Sequence, residues 1–164
     1  MTASTNKHED LIRLAENKKV LLVFLRHFGC TFCRETMTRL AEAKDELESQ
    51  NTKIVVVHMV SSKIADRLLN LYDLKGVSHI SDPEKELYHY FGLKNAEMNQ
   101  YFNPKNWWRA FTHGVLKGHL IGKPAGDVFQ MPGVFLFHKK QILNKFTYKY
   151  VSDMPDFLKL TTLA

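Results

Sequence analysis

Two stretches of the chain are apolar without a break or nearly so: Val20-Leu21-Leu22-Val23-Phe24-Leu25 and Ile54-Val55-Val56-Val57-His58-Met59-Val60. A short continuous run of this kind predicts a strand covered on both faces. The β-branched residues of the second run strengthen that reading. Between and around these runs the apolar residues recur with helical spacing instead. Leu11, Ile12, Leu14 and Ala15 predict a helix over His8 to Glu16. Cys33, Met37, Leu40, Ala41 and Leu47 form one stripe of a longer helix, running from just after Gly29 toward Gln50. Ile64, Leu68, Leu71 and Tyr72 form the stripe of a third, capped by Ser61 or Ser62 and ended by Gly76. Val77 to Ile80 is a short strand. Ser81-Asp82-Pro83-Glu84 predicts a helix start, with a capping side chain ahead of proline at the first helical position and an acid in the first turn. Leu87, Tyr90 and Phe91 would face inward, and Gly92 would stop that helix.

Residues 93–130 read as an insertion. Asn103-Pro104 can open a short helix carrying Trp107, Trp108 and Phe111, but Gly118, Gly122, Pro124 and Gly126 favour irregular chain. Val134-Phe135-Leu136-Phe137 is a strand, Lys139-Lys140 a turn, and Ile142 to Tyr150 a second strand, antiparallel to the first and near the sheet edge. Met154-Pro155 to Leu163 closes the chain as a short helix. Parallel βαβ units followed by an antiparallel hairpin describe a mixed central β-sheet flanked by helices on both faces. That is an α/β, thioredoxin-like arrangement, expected here as a single domain over residues 1–164.

Composition narrows the function classes. Hydrophobic residues make up 45% of the 164 residues and charged residues 24%, so a packed core is expected and long disorder is not. No apolar run approaches the ~20 residues of a membrane helix. Met1 to Asp10 lacks the apolar centre of a secretory signal, so a cytoplasmic location and no membrane partner are expected. The net charge is +6, but the lysines and arginines are scattered, which predicts a basic surface rather than a nucleic-acid site.

Both cysteines of the chain, Cys30 and Cys33, stand two residues apart where the first buried strand gives way to the long helix. A Cys-x-x-Cys at such a junction is a redox pattern with a mechanism behind it. The thiolate is the nucleophile, and an unperturbed thiol with pKa ~8.5 supplies little of it at neutral pH. A helix start offers unpaired N–H groups that favour negative charge. Arg26, His27 and Arg34 are close in sequence and add positive potential or a proton acceptor. Cys33, one turn deeper, is disfavoured as thiolate by burial. The expected division of labour has Cys30 attacking and Cys33 releasing the product as an internal disulfide. The intermediate is a mixed disulfide with a disulfide substrate and a sulfenic acid with a peroxide. Neither a cofactor nor a metal is called for. A zinc site drawing on His58, His79, His89, His113, His119 and His138 is the weaker alternative, since no second cysteine pair completes four ligands. A non-catalytic redox-sensing module is a further one.

The run Arg26-His27-Phe28-Gly29-Cys30-Thr31-Phe32-Cys33-Arg34-Glu35 resembles the peroxiredoxin-like, selenoprotein L-like branch of the alkyl hydroperoxide reductase/thiol-specific antioxidant superfamily. Two later segments are similar to it in order: Asp82 to Tyr88 continuing to Phe91-Gly92-Leu93, and Gly126-Asp127-Val128-Phe129-Gln130-Met131-Pro132-Gly133-Val134-Phe135. The resemblance implies a thioredoxin-like fold, Cys30 as the redox-active cysteine and Cys33 as its partner. It implies a protein disulfide or a peroxide as substrate, and a thioredoxin or glutathione system as reductant. It also implies that Met131-Pro132 is the cis-proline position of that fold, leaving the Met131 backbone open to an extended substrate.

Overall fold

The computed structural model describes residues 3–29, 31–95, 127–150 and 152–162. Elements follow the expected order: α1 (Leu11–Asn17), β1 (Lys19–Phe24), α2 (Thr31–Ser49), β2 (Thr52–His58), α3 (Ser62–Asn70), β3 (Ser78–Ser81), α4 (Glu86–Tyr90), β4 (Gly133–His138), β5 (Gln141–Thr147) and α5 (Phe157–Thr162). They build one five-stranded sheet in the order β3-β2-β1-β4-β5. β1 and β3 run parallel to β2, while β4 is antiparallel to both β1 and β5. This is the mixed sheet of a thioredoxin-like α/β fold. No helix among the described residues is long and apolar enough to cross a membrane.

The continuous apolar character of β1 has its cause in two cores, one on each face. Leu21 and Val23 join Met37, Leu40 and Leu47 of α2, Ala65 and Leu69 of α3, and Phe157 and Leu160 of α5. Val20, Leu22 and Phe24 join Leu11 and Ala15 of α1, with Leu87 and Tyr88 of α4. The Phe24 ring meets Tyr88 at 5.0 Å, Phe91 at 5.3 Å and Phe135 at 5.6 Å. Both sheet edges are modified. Asn6 clips onto β3, donating its N–H to the His79 carbonyl at 2.8 Å and accepting the His79 N–H through Oδ1 at 3.0 Å. At the other edge, β5 is mostly exposed and carries Lys145, as an open edge strand is expected to. The hairpin before it turns on Lys139 and Lys140, with φ of 46° and 62°. Two left-handed residues are what a two-residue hairpin loop requires, here met without glycine.

Three expectations about facing need correction. On α3 the buried residues are Ala65 and Leu69, whereas Ile64 and Leu71 are exposed; only Leu68 and Tyr72 of the expected stripe pack partly against the core. On α4 Tyr88 is buried and Tyr90 points to solvent. The helix also begins later than Pro83. Asp82 does cap it, accepting from the N–H groups of Glu86 at 3.0 Å and Leu87 at 2.9 Å, but across a turn that ends in a left-handed Lys85. The residues expected to form a helix around Trp107 and Trp108 lie outside those described.

Tyr88 is the bolt between the α4 layer and the sheet. Its hydroxyl donates to the carbonyls of Leu25 at 2.5 Å and Val57 at 3.1 Å, where β1 and β2 end. Tyr88→Phe removes that donor at a side chain 0% exposed. Stability is expected to fall by about 1–2 kcal/mol, read as a lower denaturant midpoint at unchanged slope.

Candidate redox site

β1 ends at Phe24, and residues 25–29 lead the chain toward α2. Leu25 still donates its N–H to the Val57 carbonyl at 2.9 Å, so the turn begins from a fixed point. Arg34, in the first turn of α2, reaches back with Nε to the Phe28 carbonyl at 3.3 Å. That ties the turn to the helix and gives Arg34 a defined place beside it. Arg26 and His27 are both buried in the turn. Cys30 lies outside the described residues; in sequence it directly precedes Thr31, the first residue of α2.

Cys33 is the third residue of α2 and is 4% exposed. It belongs to a small cluster with Phe32, Met131 and Tyr148, separate from the two main cores. Beside it is a cavity of about 10 Å³, bounded by Arg26, Thr36, Pro132 and Tyr148 among others. That space holds at most a single water molecule. The Thr36 hydroxyl donates to the Phe32 carbonyl at 2.9 Å and lies 3.7 Å from the Met154 sulfur. A thiol in such surroundings is a small apolar side chain with little access to solvent.

His27 is held neutral. Burial, the Arg26 guanidinium and an opposing, smaller pull from Asp127 bring its pKa down to about 4. Its Nδ1 makes no hydrogen bond. Asp127 is itself held below the usual carboxylate range, first by its bond to Lys85 Nζ at 2.8 Å. The Tyr88 hydroxyl is pushed well up by burial, with the Cys33 sulfur and Asp82 adding to the effect. Of the three neighbours from which positive potential was expected, His27 therefore carries no charge at neutral pH.

The Met131–Pro132 expectation needs correcting in its conformation. All peptide bonds among the described residues are trans. Nor is the Met131 backbone open: its N–H donates to the Lys94 carbonyl at 3.1 Å, and its carbonyl accepts Gln130 Nε2 at 3.2 Å. The neighbouring bridge between Asn95 and Gln130 supplies the reason, because it leads the chain into β4 already paired. Pro132 nevertheless sits beside Cys33 across the cavity. Sequence reasoning gave no site role to Tyr148, Met154, Gln130 or Tyr88, which arrive from segments distant in sequence. Of the histidines weighed as zinc ligands, His58 and His79 turn their ring nitrogens on each other at 2.9 Å. His113 and His119 lie outside the described residues. Among the described residues no group of three or more His, Cys, Asp or Glu side chains converges on a metal position.

The profile of the AhpC/TSA antioxidant enzyme family matches residues 39–153. The chain belongs to this AhpC/TSA family. The matched region opens a few residues after Cys33, so the cysteine pair stands just ahead of it. Among curated relatives of this AhpC/TSA protein, peroxiredoxin-like 2C of Bos taurus is 32% identical over 87 residues, 51% of this chain and 37% of that one. The chloroplastic thioredoxin-like protein AAED1 of Arabidopsis thaliana is 31% identical over 75 residues, 46% of this chain and 30% of the other. The match thus spans only about a third of these relatives' length. Solved structures share the fold at low identity. The bacterioferritin comigratory protein of Xanthomonas campestris has a TM-score of 0.63 at 14% identity, covering 93% of this chain and 82% of its own. A DsbE-type thiol:disulfide interchange protein of Chlorobium tepidum has a TM-score of 0.57 at 13% identity, covering 90% and 79%. The family profile is described as that of antioxidant enzymes, and the solved structures share the fold.

Proposed function

We propose that this protein is a thiol-dependent oxidoreductase cycling Cys30 and Cys33 between dithiol and disulfide. The observation that carries the reading is the burial of Cys33 in the first turn of a 19-residue helix, with Cys30 the residue before that helix in sequence. A thiol near the helix start gains from the unpaired N–H groups there, whereas the buried one does not. Cys30 attacks and Cys33 resolves. With a disulfide substrate, the Cys30 thiolate attacks one sulfur and expels the other as a thiolate. Cys33, deprotonated, then attacks Cys30 and releases the second half of the substrate, leaving the internal disulfide. His27, neutral at working pH, is suited to accept a proton rather than to add charge.

Hydroperoxide reduction is the second reading, supported by the antioxidant family and the peroxiredoxin-like relatives. Cys30 takes the terminal oxygen as a sulfenic acid while the O–O bond breaks and the alcohol leaves; Cys33 then displaces water. In both readings an external dithiol, of a thioredoxin or glutathione system, returns two electrons. A pair of this kind stays reduced between turnovers in the cytoplasm, where we propose that it works.

Intact-protein mass spectrometry after one equivalent of oxidant tests the common core. An intramolecular disulfide, lost after Cys30→Ser or Cys33→Ser, is expected. A wild-type protein that remains a dithiol removes both readings. Stopped-flow mixing with hydrogen peroxide separates them, because a rate no faster than free cysteine leaves disulfide exchange alone.

A further inference from the structure

Three side chains outside the cysteine cluster form an unbroken hydrogen-bonded line from the surface to the redox turn. Asp66 of α3 has a side chain 58% exposed, and its Oδ1 lies 2.9 Å from His79 Nε2. His79 Nδ1 lies 2.9 Å from His58 Nε2. His79 and His58 are buried, at 0% and 1% exposure. The His58 ring then packs on Phe28, centroid to centroid at 5.8 Å, two residues before Cys30 in sequence.

The line has a direction. A carboxylate only accepts, so His79 presents a proton at Nε2. With one ring proton, His79 is an acceptor at Nδ1, and His58 must carry its proton at Nε2. His58 Nδ1 is left bare, and it makes no hydrogen bond. The Val60 carbonyl lies close enough to favour a proton on His58, yet it is outside hydrogen-bonding geometry and accepts from Ser81 Oγ at 2.6 Å. The pair therefore has a second tautomeric arrangement, with His58 protonated at Nδ1 toward Val60, that the surface carboxylate holds off. Asp66 and His79 are the charged or titratable groups acting on His58; the redox turn meets it with the Phe28 ring.

We propose that His58 is a positioning residue of the redox turn and that Asp66, through His79, sets its tautomer. The proposal rests on the dithiol reading for its consequence, but the tautomer itself does not. Exchanging tautomers roughly reverses the imidazole dipole beneath the turn, and thiol acidity there responds to fixed dipoles. No bond to carbon or sulfur changes; one proton moves from Nε2 to Nδ1 of His58 as its partner's proton moves to Nδ1 of His79.

The test compares Asp66→Asn with Asp66→Ala. Both remove the same charge, and the position is exposed enough to spare the fold, but only Asn keeps an acceptor oxygen for His79. Imidazole nitrogen NMR is expected to find His58 as the Nε2–H form in wild type and in Asp66→Asn. In Asp66→Ala the ratio of the two forms should shift by about tenfold, the size of a lost charge-assisted hydrogen bond. Iodoacetamide alkylation of the reduced protein, followed against pH, should differ between the two variants by about threefold in rate near neutrality, a typical effect of one dipole. Identical tautomers in the two variants overturn the proposal. So do identical alkylation profiles with the tautomer shifted. If wild-type thiols titrate as free cysteine and form no disulfide, it is the dithiol reading that fails, and the nitrogen spectra still decide the tautomer.

Discussion

Protein carrying Cys33→Ser is expected to accumulate covalent mixed disulfides when its reduced form meets disulfide-bearing proteins, and protein carrying Cys30→Ser is expected to accumulate none. In the proposed roles Cys30, the residue before α2 in sequence, attacks; a thiol 4% exposed among Phe32, Met131 and Tyr148, as Cys33 is, attacks only what is already joined to its neighbour. Removing the second step leaves the first intermediate with no intramolecular exit. Removing the first removes chemistry altogether, because a serine hydroxyl is a poor nucleophile without an activating base. Turnover of any disulfide or hydroperoxide substrate should fall by a factor on the order of 10³ or more in Cys30→Ser. Non-reducing electrophoresis with mass spectrometry reads the trapped species. Equal trapping by both variants, or trapping by Cys30→Ser alone, reverses or abolishes the roles assigned here.

Stability is expected to drop steeply as the pH falls from about 6.5 toward 4. Burial, with His79 close by, brings the His58 pKa down to about 3, and burial with Arg26 brings His27 to about 4. In the unfolded chain each titrates near the ordinary value of about 6.5. Between those limits the unfolded state binds protons that the folded state refuses, so the stability present at neutral pH is lost on acidification. Together the two rings account for a loss on the order of several kcal/mol, a large share of the stability of a domain this size. Urea midpoints measured from pH 7.5 to pH 4 check this. His58→Gln should flatten the slope in that interval while lowering the neutral-pH midpoint. A wild-type midpoint independent of pH across the window, or an unchanged slope in the variant, contradicts it. Carboxylate titration, including that of Asp127 with its Lys85 partner, belongs to lower pH and the same direction.

Legibility in the sequence followed the strength of the local pattern. Continuous runs at β1 and β2 and the long stripe of α2 left few arrangements open, because a strand with no polar face must be covered twice and a five-turn helix fixes its own phase. The short helices did not. Over the nine residues of α3 and the five of α4, one extra apolar side chain shifts the apparent inward face by a full residue. The pattern therefore points Ile64, Leu71 and Tyr90 inward, whereas Ala65, Leu69 and Tyr88 are the buried residues.

Around the site the same boundary holds. The Cys-x-x-Cys and its flanking arginines are contiguous, so spacing alone predicts them at the junction of strand and helix, and Cys33 lies there, in the first turn of α2. Nothing contiguous announces that Gln130 and Lys94 occupy the Met131 backbone, or that Tyr148 closes over Cys33. The sequence by itself determined the order of the described elements, the mixed sheet and the place of Cys33 in the first turn of the long helix, since each follows from periodicity over neighbouring residues. Only the tertiary structure decided which histidines are neutral, which backbone groups are taken and how Asp66 reaches His58, because those depend on side chains brought together from separate strands and helices.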